Sequence, residues 1–260
     1  MTSQGEGAVL VTGGAKRLGR AVALRLADEG WDIAIHYNRS SGDAEAVAAE
    51  IQSKGRRAEI FQADLDDPAA CAGLIAQAAQ SLPNLEGLVN SASVFAPDML
   101  DTMEPGFLRN QAAVNAEAPL YLTQALMKVI DRRGWVFNFI DCKVFNLSPD
   151  FFSYTLSKLA LENVTRMCAM ACAPKLRVNG IGPGLVLPSG GQSQAEFDAE
   201  HDQIPLRQGP TPDEIAHWVV ALARSPSATG QIIAVDGGRH FYTPADLVAQ
   251  FEVPDLLERL

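Results

Sequence analysis

A glycine-rich segment near the start of the chain constrains the fold more than any other feature. Residues 12–19 read Thr-Gly-Gly-Ala-Lys-Arg-Leu-Gly, between an apolar run at residues 8–11 and a helical pattern at residues 19–29. Glycines between a strand and a helix let the backbone turn sharply and approach a phosphate, which the positive end of the helix attracts. The segment predicts a strand-turn-helix unit at an anion site, and a plain tight turn is the alternative.

Apolar runs of strand length alternate with helical patterns along the chain. This order gives parallel strands joined by right-handed crossovers, with helices on both faces of the sheet. We therefore expect an α/β fold: a single Rossmann-type, doubly wound domain over residues 1–260, with a seven-stranded parallel sheet, a core at about residues 8–240 and an extension at 241–260. The predicted strands are residues 8–11, 33–36, 57–61, 87–89, 135–140, 177–179 and 231–235. The predicted helices are residues 19–29, 43–54, 68–81, 107–130, 153–173 and 212–223.

Composition and charge exclude several classes of function. The formal net charge of −10 opposes nucleic-acid binding, because a duplex requires a cationic surface. No apolar stretch reaches the roughly 18 residues that span a membrane, and the first residues lack the pattern of a signal peptide. We therefore expect no nucleic-acid or membrane partner and a cytoplasmic location. The four cysteines have no disulfide or metal-ligand spacing, so we expect buried free thiols and no metal site.

The residues after the second predicted strand indicate which nucleotide binds. Ligands of doubly wound sheets bind at the carboxyl ends of the strands, where an NAD-binding protein usually has an acidic residue for the ribose hydroxyls. Residues 36–40 of this chain are His-Tyr-Asn-Arg-Ser instead, and Lys16 and Arg17 lie in the first turn. The planar donors of arginine suit a 2′-phosphate. The sequence predicts NADP(H), and solvated surface cations are the alternative.

Further polar and aromatic residues follow the third and fourth predicted strands. Asp64, before Leu65, could accept a hydrogen bond from the adenine amino group. It could equally be the N-terminal charge of the next helix, since Pro68 is typical of a first helical position. Residues 90–94 are small and would let a cofactor lie close, and Phe95 adds an aromatic ring.

A tyrosine and a lysine in the fifth helical pattern predict an acid–base pair. Tyr154 and Lys158 are four residues apart and therefore share one helix face. An ammonium beside a tyrosine favours the phenolate and lowers the phenol pKa from about 10. We expect Tyr154 to act as the general acid of a hydride-transfer reaction.

Together and in this order, these segments resemble the short-chain dehydrogenase/reductase family from about residue 8 to residue 240. Asn115 in Val-Asn-Ala-Glu-Ala-Pro, the Arg-Val-Asn run at 177–179, Pro183-Gly184 and the Val-Asp-Gly-Gly run at 235–238 also carry the resemblance. The resemblance implies a proton relay. Tyr154 is the acid, Lys158 holds the nicotinamide ribose and tunes the tyrosine, and Asn115 holds a water that reaches Lys158.

The family resemblance also implies an assembly. Segments 111–130 and 154–173 would pack around a two-fold axis, which gives a homotetramer. In the tail 244–260, Leu247, Val248 and Phe251 recur at helical spacing, which indicates docking on the same or a neighbouring subunit. A frayed terminus is the alternative.

One departure from the family pattern concerns the catalytic centre. The family has a serine thirteen residues before the tyrosine, and this chain has Asp141 there. An ionised carboxylate cannot donate a hydrogen bond to a carbonyl oxygen and would repel a developing alkoxide. It suits a ring nitrogen that must gain a proton, so we expect a ketone to be a poor substrate. The alternative is that Asp141 only caps a loop.

This departure and several motifs narrow the resemblance to pteridine reductases. The motifs are Thr-Gly-x-x-x-Arg-x-Gly at 12–19, residues 36–40 and the Asn-x-Ala-Ser-x-Phe segment at 90–95; the Asp-Gly-Gly-Arg-His run at 236–240 resembles the bacterial dihydromonapterin reductases. By that resemblance Phe95 would stack on a pterin, and Ser93 and Arg17 would bind its polar edge or the cofactor phosphates. Phe95 as core filler is the alternative.

The sequence therefore predicts an NADPH-dependent enzyme that reduces a dihydropterin, of the dihydromonapterin, dihydrobiopterin or dihydrofolate type, to the tetrahydropterin. A reductase of another carbonyl or imine compound, or a catalytically silent NADP-binding scaffold, are the alternatives. The predicted catalytic residues are Asp141, Tyr154, Lys158 and Asn115. The predicted substrate-binding residues are Arg17, Ser93, Phe95, Asp141 and Tyr154. The predicted cofactor-binding residues are Gly13, Arg17, Leu18, Gly19, His36, Tyr37, Asn38, Arg39, Ser40, Asp64, Leu65, Asn90, Ser91, Ala92, Tyr154, Lys158, Pro183 and Gly184.

The region at residues 182–209 is rich in glycine, proline, serine and glutamine. It predicts either a mobile flap over the site or an ordinary long surface connection. Four residues in this region are expected to be solvated: Glu196, Asp198, Glu200 and His201.

Overall fold

Seven parallel strands in the order β3-β2-β1-β4-β5-β6-β7 form the centre of the computed structural model, which describes residues 7–189 and 191–241. The order reverses direction between β1 and β4, so the sheet is doubly wound, as predicted. The cleft at that point lies at the carboxyl ends of both strands. The strands are β1 (Ala8–Thr12), β2 (Asp32–Tyr37), β3 (Ala58–Gln62), β4 (Leu85–Asn90), β5 (Gly134–Phe139), β6 (Leu176–Pro183) and β7 (Ile232–Val235).

Helices cover both faces of the sheet. The helices are α1 (Arg17–Asp28), α2 (Ser41–Ser53), α3 (Pro68–Ser81), α4 (Pro105–Ala112), α5 (Ala118–Val129), α6 (Phe152–Ala171), α7 (Gln194–His201) and α8 (Pro212–Ala223). Short 3₁₀ turns lie at Cys142–Val144 and Arg239–Phe241.

The two core clusters follow from the alternation of side chains along each strand. Val9 and Val11 of β1 pack with residues of α1, α2 and α8, whereas Ala8 and Leu10 pack with residues of α3, α5 and α6. Successive side chains of a strand point to opposite faces, so an uninterrupted apolar strand fills two cores at once. The fold class predicted from the sequence is confirmed.

The predicted helix at residues 107–130 is wrong in one respect, because a π-helical turn at Ala113–Glu117 interrupts it. Pro119 has no backbone N–H, so it cannot donate the α-helical hydrogen bond to the backbone carbonyl of Asn115. Hydrophobic periodicity cannot reveal a single inserted residue of this kind.

The predicted connection at residues 182–209 contains helix α7. Ser193 and Glu196 form a reciprocal capping box at its start, and Phe197 is buried. The Ser-x-x-Glu spacing was a sequence signal for this helix.

The remaining fold predictions concern the cysteines, the membrane and the tail. All four cysteines are buried free thiols, as predicted. Within residues 7–189 and 191–241, no helix combines the length and the apolarity that a membrane span needs. Except for Phe241, the predicted extension 241–260 and its proposed docking lie outside the described residues.

Candidate active site

The glycine-rich turn between β1 and α1 is held by close backbone contacts. Gly13 has a φ of +63°, and a Cβ there would lie 3.1 Å from Cα of Ala92. A Cβ on Gly19 would lie 2.2 Å from the carbonyl oxygen of Gly13. Both positions therefore require glycine. The turn brings the start of α1 against the end of β4.

The His36 side chain holds this turn through a hydrogen bond to its backbone. Its Nδ1 accepts a hydrogen bond from Gly13 N at 3.1 Å, so Nε2 carries the proton and donates to Ala63 O at 3.2 Å. Burial lowers the pKa of His36, which keeps the ring neutral at pH 7. The side chain is 2% exposed, so it acts on the site mainly by holding the turn.

A cavity of about 500 Å³ opens at the ends of β1, β2 and β3. Predicted cofactor residues that line it are Gly13, His36, Tyr37, Asn38, Arg39, Ser40, Asp64, Leu65 and Ala92. Ser93, predicted for the substrate, also lines it. Lys16, expected near the ribose, and Val94, in the run of small residues expected to admit a cofactor, also line it. Lining residues that sequence reasoning missed are Ala15, Asp66, Asn110 and Val114. Predicted cofactor residues that do not line this cavity are Arg17, Leu18, Gly19, Asn90, Ser91, Tyr154, Lys158, Pro183 and Gly184.

The cations predicted to gather at the ribose are divided among different partners. Lys16 forms an ion pair with Asp43 at 2.9 Å. Arg17 donates to the carbonyl of Pro188 at 2.9 Å and so joins the glycine-rich turn to the segment after β6. Arg39 has no ion-pair partner in the described part of the chain. Of the three cations, Arg39 is the one left available to a ligand in this cavity.

The start of α3 resolves one of the alternatives for Asp64. Asp67 caps α3 by accepting from Ala69 N at 2.8 Å, so Asp64 is not the helix cap.

Arg17 has a φ of +50°, in the region where a side chain is strained. That backbone conformation explains why dinucleotide-binding turns usually have glycine at this position.

Asp141 and Tyr154 meet in a direct hydrogen bond. The Tyr154 hydroxyl donates to Asp141 Oδ2 at 2.8 Å. Asp141 Oδ1 accepts from Lys143 N at 2.9 Å, which caps the 3₁₀ turn after β5. Asp141 therefore caps the 3₁₀ turn with one carboxylate oxygen and accepts from Tyr154 with the other. The capping bond fixes the orientation of the carboxylate.

The predicted lowering of the Tyr154 pKa is wrong for this arrangement. Burial raises the pKa of Tyr154 well above its usual value, and the Asp141 carboxylate raises it further. A phenolate of the buried Tyr154 would lie beside the Asp141 carboxylate, and the two negative charges would repel each other. Tyr154 therefore keeps its proton, as a hydrogen-bond donor and proton source must.

Lys158 lies behind Tyr154 and is almost completely buried. Its Nζ donates to Phe139 O at 2.8 Å and lies 5.6 Å from the centre of the Tyr154 ring. Burial lowers the pKa of Lys158 from 10.5 to about 8, and the Asp141 carboxylate offsets part of that effect. The lysine can therefore exchange a proton near neutral pH.

Asn115 lies in the π-helical turn and joins three segments of the site. Its Oδ1 accepts from Val94 N at 2.8 Å and from Ser93 Oγ at 3.0 Å. Its Nδ2 donates to Val94 O at 2.9 Å and lies 3.0 Å from Ser157 Oγ. Asn115 thus ties the loop after β4 to helix α6, next to Lys158.

An exposed aromatic ring faces the tyrosine. Phe95 is 46% exposed, so its interpretation as core filler is wrong. The edge-to-face contact between Phe95 and Tyr154 has a centroid distance of 4.8 Å. Phe151 stacks on Phe95 at 4.5 Å with an interplanar angle of 9°.

Comparisons with known proteins identify the family of this chain. A family model described as enoyl-(acyl carrier protein) reductase matches residues 13–240. The chain belongs to the short-chain dehydrogenase/reductase family. It is an oxidoreductase of that family, as the sequence resemblance implied.

Several relatives of this short-chain dehydrogenase/reductase have a named activity. Pteridine reductase 1 from Leishmania tarentolae is 33% identical over 88% of this chain and 94% of its own length. FolM alternative dihydrofolate reductase 1 from Brucella suis, solved in complex with NADP, is 41% identical with a TM-score of 0.88, over 92% of this chain and 98% of that one. The protein of the same name from Brucella canis, complexed with NADP, is 39% identical with a TM-score of 0.86, over 96% of this chain and 97% of that one.

Sequence reasoning missed three residues that organise the site of this short-chain dehydrogenase/reductase. Thr12 Oγ1 accepts from the backbone N–H groups of Ser91 and Ala92. Phe151 stacks on Phe95. Asp98, which is 9% exposed, accepts from Ser153 at the start of α6. Each contact joins segments that are distant along the chain, so no local sequence pattern could predict it.

All four residues at 196–201 that were predicted to be solvated have protein partners, and Glu196 and Asp198 are exposed, as predicted. Glu200 forms an ion pair with Arg239 at 3.3 Å and accepts from Gln192 Nε2 at 2.7 Å. His201 Nε2 lies 2.8 Å from Leu185 O and its ring packs on Phe197. Glu200 and His201 are only partly exposed, because α7 packs back onto the turn after β7, so for these two the prediction holds only in part.

Proposed function

We propose that this short-chain dehydrogenase/reductase is an NADPH-dependent pteridine reductase that converts a dihydropterin to a tetrahydropterin. The hydrogen bond from Tyr154 to Asp141, at 2.8 Å, carries the proposal. It places a carboxylate where a carbonyl reductase needs a hydroxyl donor. The names of the Leishmania and Brucella relatives support the same substrate class.

The cavity at the ends of β1, β2 and β3 suits the adenosine half of NADP(H). Residues 38–40 are Asn-Arg-Ser, with no acid to repel a 2′-phosphate, and Arg39 is free of ion pairs within the described residues. In this proposal Arg39 and Ser40 hold the 2′-phosphate, Gly13 admits the pyrophosphate, and Asp64 accepts from the adenine amino group. When bound, NADPH supplies the hydride that reduces the carbon of the pterin C=N bond.

The Tyr154–Asp141 pair supplies the proton that the ring nitrogen gains. The raised pKa of Tyr154 keeps the pair protonated at neutral pH. When the C=N bond takes up a hydride, the nitrogen becomes basic and takes the proton from this pair. A ketone would instead develop an alkoxide beside the carboxylate, which is repulsive.

Lys158 and Asn115 complete the proposed relay. Lys158, with a pKa of about 8, can return a proton to Tyr154 after each turnover. Pro119 leaves the backbone carbonyl of Asn115 without its α-helical partner, so this carbonyl can hold a water between solvent and Lys158. Lys158 also binds the nicotinamide ribose in this proposal.

The loop after β4 forms part of the proposed substrate-binding site. Phe95 presents an exposed ring beside the acid, and a flat electron-poor heterocycle stacks well on such a ring. Ser93 lies on the same loop and Arg17 across the turn, where both can bind polar groups of the pterin. Arg17 would exchange its contact with Pro188 O for that role.

We also propose that residues 1–260 act as one reductase domain that assembles into a homotetramer through α5 and α6. Both helices expose large apolar side chains that a monomer would leave in water: Leu120, Val129, Leu156, Met167 and Met170. Exposed apolar surface of this kind is typical of contacts between subunits.

The test is NADPH oxidation by the purified full chain against a panel of substrates. The panel contains dihydromonapterin, dihydrobiopterin, dihydrofolate and simple ketones. We expect turnover of at least one pterin and none of the ketones. Tyr154→Phe should lose nearly all rate and Asp141→Ser should lose pterin turnover. Tyr121→Phe, which removes a hydroxyl of α5 that donates to Glu117 in the π-helical turn, serves as the matched control and should be unchanged.

Three outcomes would contradict the proposal. Undiminished pterin reduction by Asp141→Ser would refute the role of the carboxylate. Turnover of ketones or imines without pterins would indicate another reductase. Binding of NADPH without turnover of any compound in the panel would indicate a scaffold.

A further inference from the structure

The substrate loop after β4 and the start of helix α6 are joined by a set of contacts that the proton chemistry does not use. Phe95 stacks on Phe151, and Phe152 N donates to the carbonyl oxygen of Asp98 at 3.3 Å. Ser153 N donates to Asp98 Oδ1 at 3.0 Å, and Ser153 Oγ donates to the other carboxylate oxygen. Phe95 and Asp98 of the loop thus contact three consecutive residues at the helix start, residues 151–153, immediately before Tyr154.

Helix α6 has no cap of its own. Phe151, which occupies the capping position, has a φ of +51° and no side chain able to accept from the first turn. The first backbone N–H groups of a helix need acceptors, and a carboxylate there also interacts favourably with the helix dipole. Asp98 of the substrate loop, which is distant in sequence, supplies these acceptors.

We propose that Asp98 is a positioning residue that locks the substrate loop to the start of the catalytic helix. The inference rests on the proposed function, since it assigns Phe95 to the substrate and Tyr154 to the proton. Asp98 lies three residues after Phe95 and bonds the residue before Tyr154. One buried carboxylate therefore sets the position of the stacking ring and of the acid relative to each other.

The kinetic consequence follows from this double attachment. If the lock is lost, the ring and the phenol shift independently, and both substrate binding and proton transfer become less favourable. A displacement of about 1 Å can lower a rate by as much as about 100-fold. Asp98 does not line the cavity at the ends of β1, β2 and β3, so binding of the adenosine half of NADPH there should not change.

The experiment compares Asp98→Ala, Asp98→Asn and the control Thr211→Ala. Thr211 caps α8 by accepting from Glu214 N, so its loss removes a helix cap away from Tyr154. We expect Asp98→Ala to lower kcat and to raise KM for the pterin, with kcat/KM falling at least about tenfold. Asp98→Asn keeps an acceptor for Ser153 N and should recover most of the loss. Thr211→Ala should lower the melting temperature with unchanged kinetics.

A second measurement does not depend on the substrate. Hydrogen–deuterium exchange of a peptide spanning residues 150–157 reports on the amides of Phe152 and Ser153. We expect faster exchange in Asp98→Ala and no change in Thr211→Ala. Faster exchange in a protein whose wild type reduces no pterin would refute the proposed function and leave the lock intact.

Two results would overturn the positioning role. One is an Asp98→Ala enzyme with wild-type kcat and KM in a protein that reduces pterins. The other is equal damage to the kinetics by Asp98→Ala and Thr211→Ala, since that would make the effect one of general stability. Dissociation constants for NADPH, measured by fluorescence, check that the cofactor site is unaffected in every variant.

Discussion

Replacing Lys158 by methionine changes the stability of the protein in a way that depends on pH. Lys158 is 2% exposed, and burial lowers its pKa from 10.5 to about 8. In the unfolded chain the ammonium keeps its proton up to about pH 10.4. The folded state therefore carries an unfavourable buried charge at neutral pH, and the wild-type protein loses that penalty only as the pH rises.

The magnitude follows from the difference between the two pKa values of Lys158. The fall from 10.5 to about 8 corresponds to a penalty of about 3 kcal/mol below pH 8. Between pH 8 and pH 10.5 the unfolded state binds more protons than the folded state, so the free energy of unfolding rises with pH. From pH 7 to pH 9.5 the wild type should gain about 2 kcal/mol from Lys158 alone. Lys158→Met lacks this gain.

Urea unfolding of the cofactor-free protein at a fixed protein concentration measures the effect. Other titrating groups are common to both proteins, so they cancel in the difference between wild type and Lys158→Met. Lys54→Met, which removes an exposed lysine paired with Asp28, controls for the loss of a lysine as such. Parallel stability curves for wild type and Lys158→Met between pH 7 and pH 9.5 would refute the reasoning.

Two further predictions concern the cofactor and the assembly. Arg39→Gln should lower the ratio of kcat/KM for NADPH to kcat/KM for NADH by about tenfold or more, because a charged hydrogen bond to the 2′-phosphate is lost. Steady-state kinetics with both cofactors measure the ratio, and an unchanged ratio would exclude Arg39 from phosphate binding. Met170→Glu, at a position 74% exposed on α6, should dissociate the proposed tetramer by placing a charge in its interface. Light scattering gives the mass, and an unaltered tetramer would show that this side chain is not at a contact.

Local signals in the sequence were sufficient for most of the fold. The helix predicted at residues 68–81 has these bounds in the structure, because Asp67 and Pro68 specify its start within a few residues. The apolar strands alternate with amphipathic helices, and parallel order follows from that alternation. The shared face of Tyr154 and Lys158 likewise follows from helical spacing alone.

The electrostatic state of the site could not be predicted in the same way. The proximity of Lys158 to Tyr154 indicated a lowered phenol pKa, but burial and the Asp141 carboxylate raise it. Desolvation depends on how completely the surrounding elements close over a group, and spacing along one helix does not determine that. The π-helical turn around Asn115 is a similar case, because its side chain bonds Val94 and Ser157 from other segments.

The sequence by itself determined the sheet, the glycine-rich turn and the identity of the residues at the strand ends, since these depend on periodicity and on backbone freedom within short segments. Only the tertiary structure decided which of those residues meet. Asp98 bonds Ser153 and Phe95 stacks on Phe151 across more than fifty residues of chain. Such contacts exist only once the sheet has brought the loop after β4 against α6. Folding therefore converts separate local signals into one site whose proton chemistry depends on burial.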